Sequence, residues 1–205
     1  MRIRITFSKL GPLRYTGHLD LHKLWERAAR RAALPLAYSQ GFHPQPKMNI
    51  AAALPLGFSS RCELLDMRLE EDISLDGLAQ KLNDTMPDGI RVTHIEEVDE
   101  RAPALQTQVV SAEYEVTLKE AGFGSDMKRT IDSVMESESI IRTRRNKEYD
   151  LRPLIEELTL TSENILFMKL TSKEGATGRP EEVLDELGIS FEETRIERIR
   201  LNFQL

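Results

Sequence analysis

The chain has 205 residues, of which 40% are hydrophobic, and this is enough for one large domain or two small ones. Its single cysteine excludes an internal disulfide framework, a thiolate zinc site and a chain-borne iron–sulfur cluster. No stretch approaches the roughly 20 apolar residues that span a bilayer, and residues 1–5 alternate like a strand rather than a signal peptide, so we expect a cytoplasmic protein without a membrane partner.

The charge is divided unevenly along the chain. Residues 1–65 contain ten basic and three acidic residues, a net charge of +7, and the remainder has −13 because the whole chain has −6. One interpretation is that the basic part holds a polyanion while the acidic part serves solubility or a basic partner. The other is that acidic residues simply balance basic ones.

The first 98 residues predict the element order βαββαβ. Residues 2–8 alternate in hydrophobicity, which indicates a strand, and the apolar residues of 18–33 recur at three- and four-residue steps, which indicates a helix. The pattern then predicts strands at 47–53 and 62–69, a helix at 75–86 and a strand at 90–98. This order favours an α+β domain of the ferredoxin-like type, with helices on one face of an antiparallel sheet.

The order begins again after residues 99–108, which are expected to be a linker. The predicted elements are strand 112–118, helix 125–137 with Ser125 as N-cap, strand 140–145, a hairpin of 154–160 and 165–171 that turns at 161–164, helix 180–187 and strand 194–203. We therefore predict two tandem ferredoxin-like domains, a basic one at 1–98 and an acidic one at 109–205 with an extra strand or bulge.

The loop at 39–47 is the most constrained segment. Pro44 and Pro46 lack an N–H and hold the residues before them in extended geometry, so neither a helix nor a central strand can form here. We expect the loop, with Gly41, Phe42, His43 and Lys47, to approach the start of the first helix and to form a pocket for a polar or anionic group. The alternative is a stiff crossover.

The first helix contributes the other candidate residues. His18 and His22 have the four-residue spacing of a metal-ligating pair, but a third ligand is lacking, and Asp20 suits the first helical turn. We therefore expect no metal and place His18 and Asp20 in the pocket. Four cations face solvent on this helix and form either a phosphate-binding ridge or an ordinary solvated face: Lys23, Arg27, Arg30 and Arg31.

Known catalytic patterns are missing from the chain. There is no nucleophile elbow, phosphate-binding P-loop, dinucleotide-binding glycine motif or zinc-protease motif, and no cofactor is expected. A second basic cluster at 142–147 either extends a polyanion track or protects an edge strand.

Several segments resemble the bacterial radical-SAM-linked domain family, also known as a domain of unknown function. They are RYTGHLDL at 14–21, residues 27–31, SQGFHPQPKM at 39–48, LPLG at 54–57 and, more loosely, YDLRPL at 149–154. The chain departs from that pattern at Gly17, where Ser is expected, and at Gln45, where His or Arg is frequent. The resemblance implies a radical-SAM protein as partner and, because such proteins are encoded near RNA-processing genes, RNA as substrate.

These observations favour a substrate-recognition accessory of a radical-SAM enzyme that binds RNA, with no DNA expected. Its binding residues are expected to be His18, Asp20, Lys23, Arg27, Arg30, Arg31, Gly41, Phe42, His43 and Lys47. Two alternatives stay open. One is a metal-independent RNA-processing enzyme with His18 or His43 as general acid–base, and the other is a protein–protein adaptor without nucleic acid.

Overall fold

The structure is a computed structural model that describes residues 1–119, 123–124, 126–162, 165–173 and 175–204. The chain forms two compact units, Met1–Gln108 and Val109–Leu205. Both combine helices with antiparallel strands, which confirms the mixed α+β class. No helix among the described residues is long and apolar enough to cross a membrane.

The elements of the first unit follow the predicted order. They are β1 (Arg2–Lys9), a 3₁₀ helix (Gly11–Tyr15), α1 (His18–Arg31), β2 (Met48–Ile50), β3 (Ser59–Arg68), α2 (Leu78–Asn83), β4 (Ile90–Val98) and α3 (Leu105–Gln108). Both main helices are shorter than predicted. In α1 the reason is a left-handed residue, Ala33 (φ 49°), where the chain leaves the helix with Leu34 N–H bonded to the Ala29 carbonyl in a Schellman-type end.

All strand pairs of the first unit are antiparallel. β3 lies between β1 and β2, and β1 lies between β3 and β4, so the strand order is β2-β3-β1-β4. Ile5 of β1 is opposite Leu65 of β3 and Ile95 of β4, and Ile50 of β2 is opposite Leu65 from the other side. The register thus brings apolar residues of all four strands into line.

The core of the first unit lies between this sheet and α1. Ile3, Ile5 and Phe7 alternate along β1 and are fully buried, as the two-residue period of a strand requires. Trp25 of α1 is fully buried and packs edge-on against Phe7, with 4.8 Å between ring centroids. The contact fixes α1 over the middle of the sheet and leaves its opposite side in solvent.

The segment 99–108, expected to be a linker, belongs to the first unit. The Arg2 guanidinium donates hydrogen bonds to the carbonyls of Ala102 (2.7 Å) and Pro103 (2.9 Å), and the last four residues of the segment form α3. Because Arg2 is buried, this segment is held against the start of β1 rather than left in solvent.

The second unit repeats the alternation of strands and helices with an added hairpin. Its elements are β5 (Val109–Leu118), α4 (Met127–Glu136), β6 (Ile141–Arg144), β7 (Lys147–Asp150), a 3₁₀ helix (Arg152–Leu154), β8 (Ile155–Ser162), β9 (Ile165–Lys173), β10 (Ala176–Thr177), α5 (Pro180–Glu186), a 3₁₀ helix (Phe191–Glu193) and β11 (Thr194–Phe203). The main strands are antiparallel in the order β8-β9-β5-β11, and β10 also pairs with β9.

The extra strand expected in the second unit is the separate hairpin β6-β7. Its turn consists of Arg145 (φ 51°) and Asn146 (φ 62°), the left-handed pair that a two-residue hairpin needs. The predicted N-cap Ser125 and the last two residues of the predicted turn at 161–164 lie outside the described residues.

Candidate functional site

The start of α1 is shaped by the turn that precedes it. The buried Lys9 donates a hydrogen bond from Nζ to the Thr16 carbonyl (2.9 Å), and Leu21 N–H bonds the Gly17 carbonyl (2.9 Å). Gly17 is the N-cap residue, so no side chain caps the helix. The first turn of α1 therefore has a fixed backbone and an open surface above it.

A pocket of about 550 Å³ lies along one side of α1. One wall is the helix itself, and the other is the chain that follows α2. The residues that line it are Thr16, Asp20, Lys23, Leu24, Arg27, Arg31, Thr85, Met86 and Pro87. The helical members have a three- to four-residue spacing, which puts them on one stripe of the helix. The stripe borders the buried side of α1. The helical wall of the pocket is therefore held in place by the packing of α1 on the sheet.

The two walls are tied together by hydrogen bonds. The Thr85 hydroxyl bonds the carbonyls of Ala28 in α1 (3.2 Å) and Leu82 in α2 (2.8 Å). Arg31 Nη1 donates to the Thr85 carbonyl at 3.4 Å. Leu82 is fully buried beneath these contacts. These contacts set the distance between the two walls of the pocket.

Most of the charge in the pocket is positive and unpaired. Within residues 1–119, all of which the structure describes, Lys23, Arg27 and Arg31 form no ion pair with a carboxylate. Arg30 differs, because it pairs with Glu26 (2.8 Å) and donates from Nε to the Tyr38 hydroxyl (3.1 Å). Three of the four predicted cations therefore face one pocket, and the fourth is bound within the fold.

The two histidines of α1 lie outside the pocket lining. His18 is about 160° around the helix from Asp20, and its ring is 6.4 Å from that of His22. His22 Nε2 is 3.0 Å from the Met48 carbonyl oxygen, so His22 is bound to β2. Burial lowers the pKa of His18 below its ordinary 6.5, and His22 adds to this effect while Glu63 opposes it. His18 is therefore mostly neutral at pH 7.

The Pro-rich loop is closed on itself. Ser39 N–H bonds the Gln45 carbonyl (2.8 Å), and Gln45 N–H bonds the Ser39 hydroxyl (3.0 Å). Gly41 has a φ of 128°, which a residue with a side chain rarely adopts. Phe42 is 99% exposed at the tip. The loop is thus a constrained segment with an exposed tip.

The loop was expected to approach the start of α1. Its stem contacts α1 at two places: Tyr38 accepts a hydrogen bond from Arg30 in the last turn of the helix, and the carbonyl of Met48, the residue after the loop, is 3.0 Å from His22 Nε2 in the second turn. Asp20, Lys23, Arg27 and Arg31 line the pocket, and the remaining predicted residues do not: His18, Arg30, Gly41, Phe42, His43 and Lys47. The side chains of His43 and Lys47 are exposed. Four of the ten predicted residues therefore line this pocket, and a pocket shared with the loop stays a prediction.

The second basic cluster has internal partners. Arg142 pairs with Asp185 (2.5 Å) and Glu186 (2.6 Å), and Arg144 pairs with Glu182 (2.5 Å). Both arginines are on β6 and all three carboxylates are on α5, so the pairs fasten the hairpin to that helix. These two arginines are not available to extend a polyanion track.

The pocket residues that the sequence did not indicate come from distant parts of the chain. Thr85, Met86 and Pro87 follow α2 and meet α1 only in the folded unit. Pro87 directly follows the helix predicted at 75–86, and no local pattern relates it to α1. Among the described residues no three His, Cys, Asp or Glu side chains converge as a metal site would require.

The chain belongs to the family described as "Uncharacterized protein conserved in bacteria (DUF2344)", which matches residues 2–180. No curated protein matches the chain. Among solved structures it is similar to a protein described as a dyp-type peroxidase from Shewanella oneidensis, with 10% identity over 95% of this chain and 88% of that chain. The TM-score is 0.23, and at that value the likeness carries no argument about fold or function.

Proposed function

We propose that this protein is an RNA-binding accessory that presents a substrate to a radical-SAM enzyme. The pocket beside α1 would hold the phosphate groups of the RNA through Lys23, Arg27 and Arg31. The support for RNA is the charge of this pocket together with the basic first part of the chain. The radical-SAM partner follows from the family resemblance of the motifs at 14–21 and 39–48.

We also propose that each unit is a ferredoxin-like domain. The support is the matching strand orders, β2-β3-β1-β4 in the first unit and β8-β9-β5-β11 in the second, with antiparallel neighbours throughout. In both units a helix follows the first strand and another precedes the last.

The observation that carries the RNA proposal is the row of unpaired cations. Lys23, Arg27 and Arg31 are separated by four residues each, so successive charges are about 6 Å apart along the helix axis. A concave wall concentrates the positive potential that they produce. Lys23 can bind a phosphate as a point charge, and Arg27 and Arg31 can each bind one through two parallel hydrogen bonds. The phosphates along a single strand are therefore suitable partners for this row.

The test measures RNA affinity against salt. A fluorescein-labelled single-stranded RNA is titrated with the wild-type protein and with the double variant Arg27→Gln/Arg31→Gln, from 50 to 200 mM salt, by fluorescence anisotropy. Each lost phosphate contact reduces the slope of log affinity against log salt by about 0.7 for a single strand. The double variant should therefore bind more weakly, with a slope about 1.4 smaller.

The matched control is Lys128→Gln/Arg129→Gln on α4, which removes the same two charges from an exposed helical surface. It should leave the slope close to that of the wild type. Equal slopes for all three proteins would contradict the proposal and favour the adaptor. RNA cleavage by the purified protein that disappears with His18→Ala or His43→Ala would favour the RNA-processing enzyme instead.

A further inference from the structure

We propose that Asp20 makes the pocket selective for ribose over deoxyribose by accepting a hydrogen bond from a 2′-hydroxyl group. This inference rests on the proposed function, since it assumes that the neighbouring cations bind the phosphates of a nucleic acid strand. It adds a residue that distinguishes RNA from DNA at the same pocket.

Asp20 lines the cationic pocket and is exposed. Lys23 lies one turn along the same wall, yet within residues 1–119, all described by the structure, the Asp20 carboxylate makes no ion pair and no hydrogen bond. Its Oδ2 is 4.0 Å from the position that a Cβ on Gly17 would occupy, so it lies above the uncapped start of the helix. The carboxylate oxygens are therefore open to a ligand.

A carboxylate is an unfavourable neighbour for a phosphate. In a pocket that bound phosphates alone, Asp20 would repel the ligand and reduce the attraction of Lys23 and Arg27. Asp20 favours the first turn of the helix, but toward the ligand it becomes favourable when the ligand also brings a hydrogen-bond donor. A sugar hydroxyl beside a phosphate is such a donor, and the 2′-hydroxyl is the group by which a protein tells RNA from DNA.

The dimensions of the pocket fit a short single strand. Asp20 and Arg27 are about 10 Å apart along the helix axis, the rise of about three stacked nucleotides. One sugar can thus face Asp20 while the following phosphates face Lys23 and Arg27. Leu24, Met86 and Pro87 supply an apolar surface between the walls, against which a sugar or a base can pack.

The experiment compares strands that differ only at the 2′ position. Twelve-residue oligouridine, oligodeoxyuridine and 2′-fluoro-oligouridine are titrated by fluorescence anisotropy at one salt concentration. The fluoro strand keeps an RNA-like sugar but cannot donate a hydrogen bond. The wild type should bind oligouridine about tenfold more tightly than the other two, the difference expected for a hydrogen bond to a charged acceptor.

Three variants separate recognition from a purely structural role of Asp20. Asp20→Ala should bring the three affinities together, and its affinity for the deoxy strand should equal or exceed that of the wild type, because a repelling charge is gone. Asp20→Asn keeps an acceptor oxygen and should keep part of the preference. Glu26→Gln removes one negative charge outside the pocket and should leave the preference unchanged.

The outcomes distinguish this inference from the proposed function. If Asp20→Ala lowers the affinity for all three strands by the same factor, Asp20 only supports the helix and the inference is overturned. Equal wild-type affinity for the ribose and deoxyribose strands, with the salt slope still dependent on Arg27 and Arg31, overturns the inference while the proposed binding stands. Absence of binding to any strand overturns both.

Discussion

Asp66 is the centre of a buried ion cluster. This cluster supports the sheet against which α1, the helix that lines the pocket, is packed. Asp66 is on β3 and only 3% exposed. Its carboxylate accepts hydrogen bonds from Arg2 (Nη2, 2.6 Å) and Arg4 (Nε, 2.8 Å) on the neighbouring β1. Arg2 also holds the segment 99–103, so one carboxylate links β1, β3 and the chain beyond β4.

Replacing Asp66 by Ala should strongly destabilise the first unit. The change removes the carboxylate shared by two guanidinium groups whose side chains are 5% and 15% exposed, and it leaves Glu96, opposite Arg4 on β4, as a weaker charge partner of Arg4. Removing one partner of a buried ion pair costs about 3 to 5 kcal/mol. Arg2 keeps two carbonyl acceptors in the variant, so we expect the loss in free energy of unfolding at the lower end, about 3 kcal/mol.

Urea unfolding measures this loss, with the fluorescence of Trp25 as signal. Trp25 is the single tryptophan and is fully buried in the first unit, so its emission follows that unit alone. With a slope of about 1.5 to 2 kcal/mol per M, the midpoint should fall by about 1.5 to 2 M. Asp72→Ala, which removes a carboxylate that is 89% exposed, serves as the control and should shift it little.

A decrease of less than about 0.5 M at an unchanged slope would refute this reasoning. It would mean that the two arginines find other partners or reach solvent when the carboxylate is removed. The variant Asp66→Asn narrows the interpretation, since it keeps one acceptor oxygen without the charge. The decrease in the free energy of unfolding of Asp66→Asn should lie between the decreases of the control and of Asp66→Ala.

Two further predictions concern the glycine directly before β4 and the titration of His18. Gly77→Ala should lower the free energy of unfolding by about 1 to 2 kcal/mol, because Gly77 has a positive φ. Gly89→Ala should lower it by more, because Gly89 also has a positive φ and a Cβ there would lie 2.6 Å from the Leu10 carbonyl oxygen. Equal losses for the two variants in urea unfolding would contradict this close approach. The lowered pKa of His18 means that the unfolded chain binds more protons just below pH 6.5, so stability falls as the pH falls from 6.5 toward the folded-state pKa. His18→Gln should reduce this fall in thermal unfolding between pH 7 and 5, and an unchanged pH profile for His18→Gln would count against the assigned shift.

The element order could be predicted because it depends on local patterns. The alternation of Ile3, Ile5 and Phe7 defines β1, and the three- to four-residue steps that include Leu21, Trp25 and Ala28 define the buried side of α1. The ends of α1 were less predictable. Ala33 adopts a left-handed conformation that nothing in its neighbours indicates, and it stops the helix two residues early.

The pocket could be predicted only in part because half of it depends on long-range contacts. The helix periodicity places Asp20, Lys23, Arg27 and Arg31 on one stripe, but their opposite wall at residues 85–87 is fixed by the Thr85 hydrogen bond to Ala28, 57 residues away. The same holds for Arg142, whose carboxylate partners on α5 are 43 and 44 residues further along the chain. Local charge patterns cannot tell a solvated cation from a paired one.

The cations of α1 differ in how they are paired. Arg30 is neutralised by Glu26, four residues before it, and bound by Tyr38. Lys23, Arg27 and Arg31 are spaced as successive like charges, an arrangement that destabilises a helix by a few tenths of a kcal/mol per pair. Within the described residues 1–119 the Thr85 carbonyl offsets this repulsion at Arg31, and the Asp20 carboxylate lies in the same pocket without pairing with Lys23. Arg31 lies in the last turn of α1, where a cation also interacts favourably with the helix macrodipole. The repulsion between Lys23 and Arg27 is a local conflict of the kind expected where a ligand binds, and it supports the proposal of an anionic ligand.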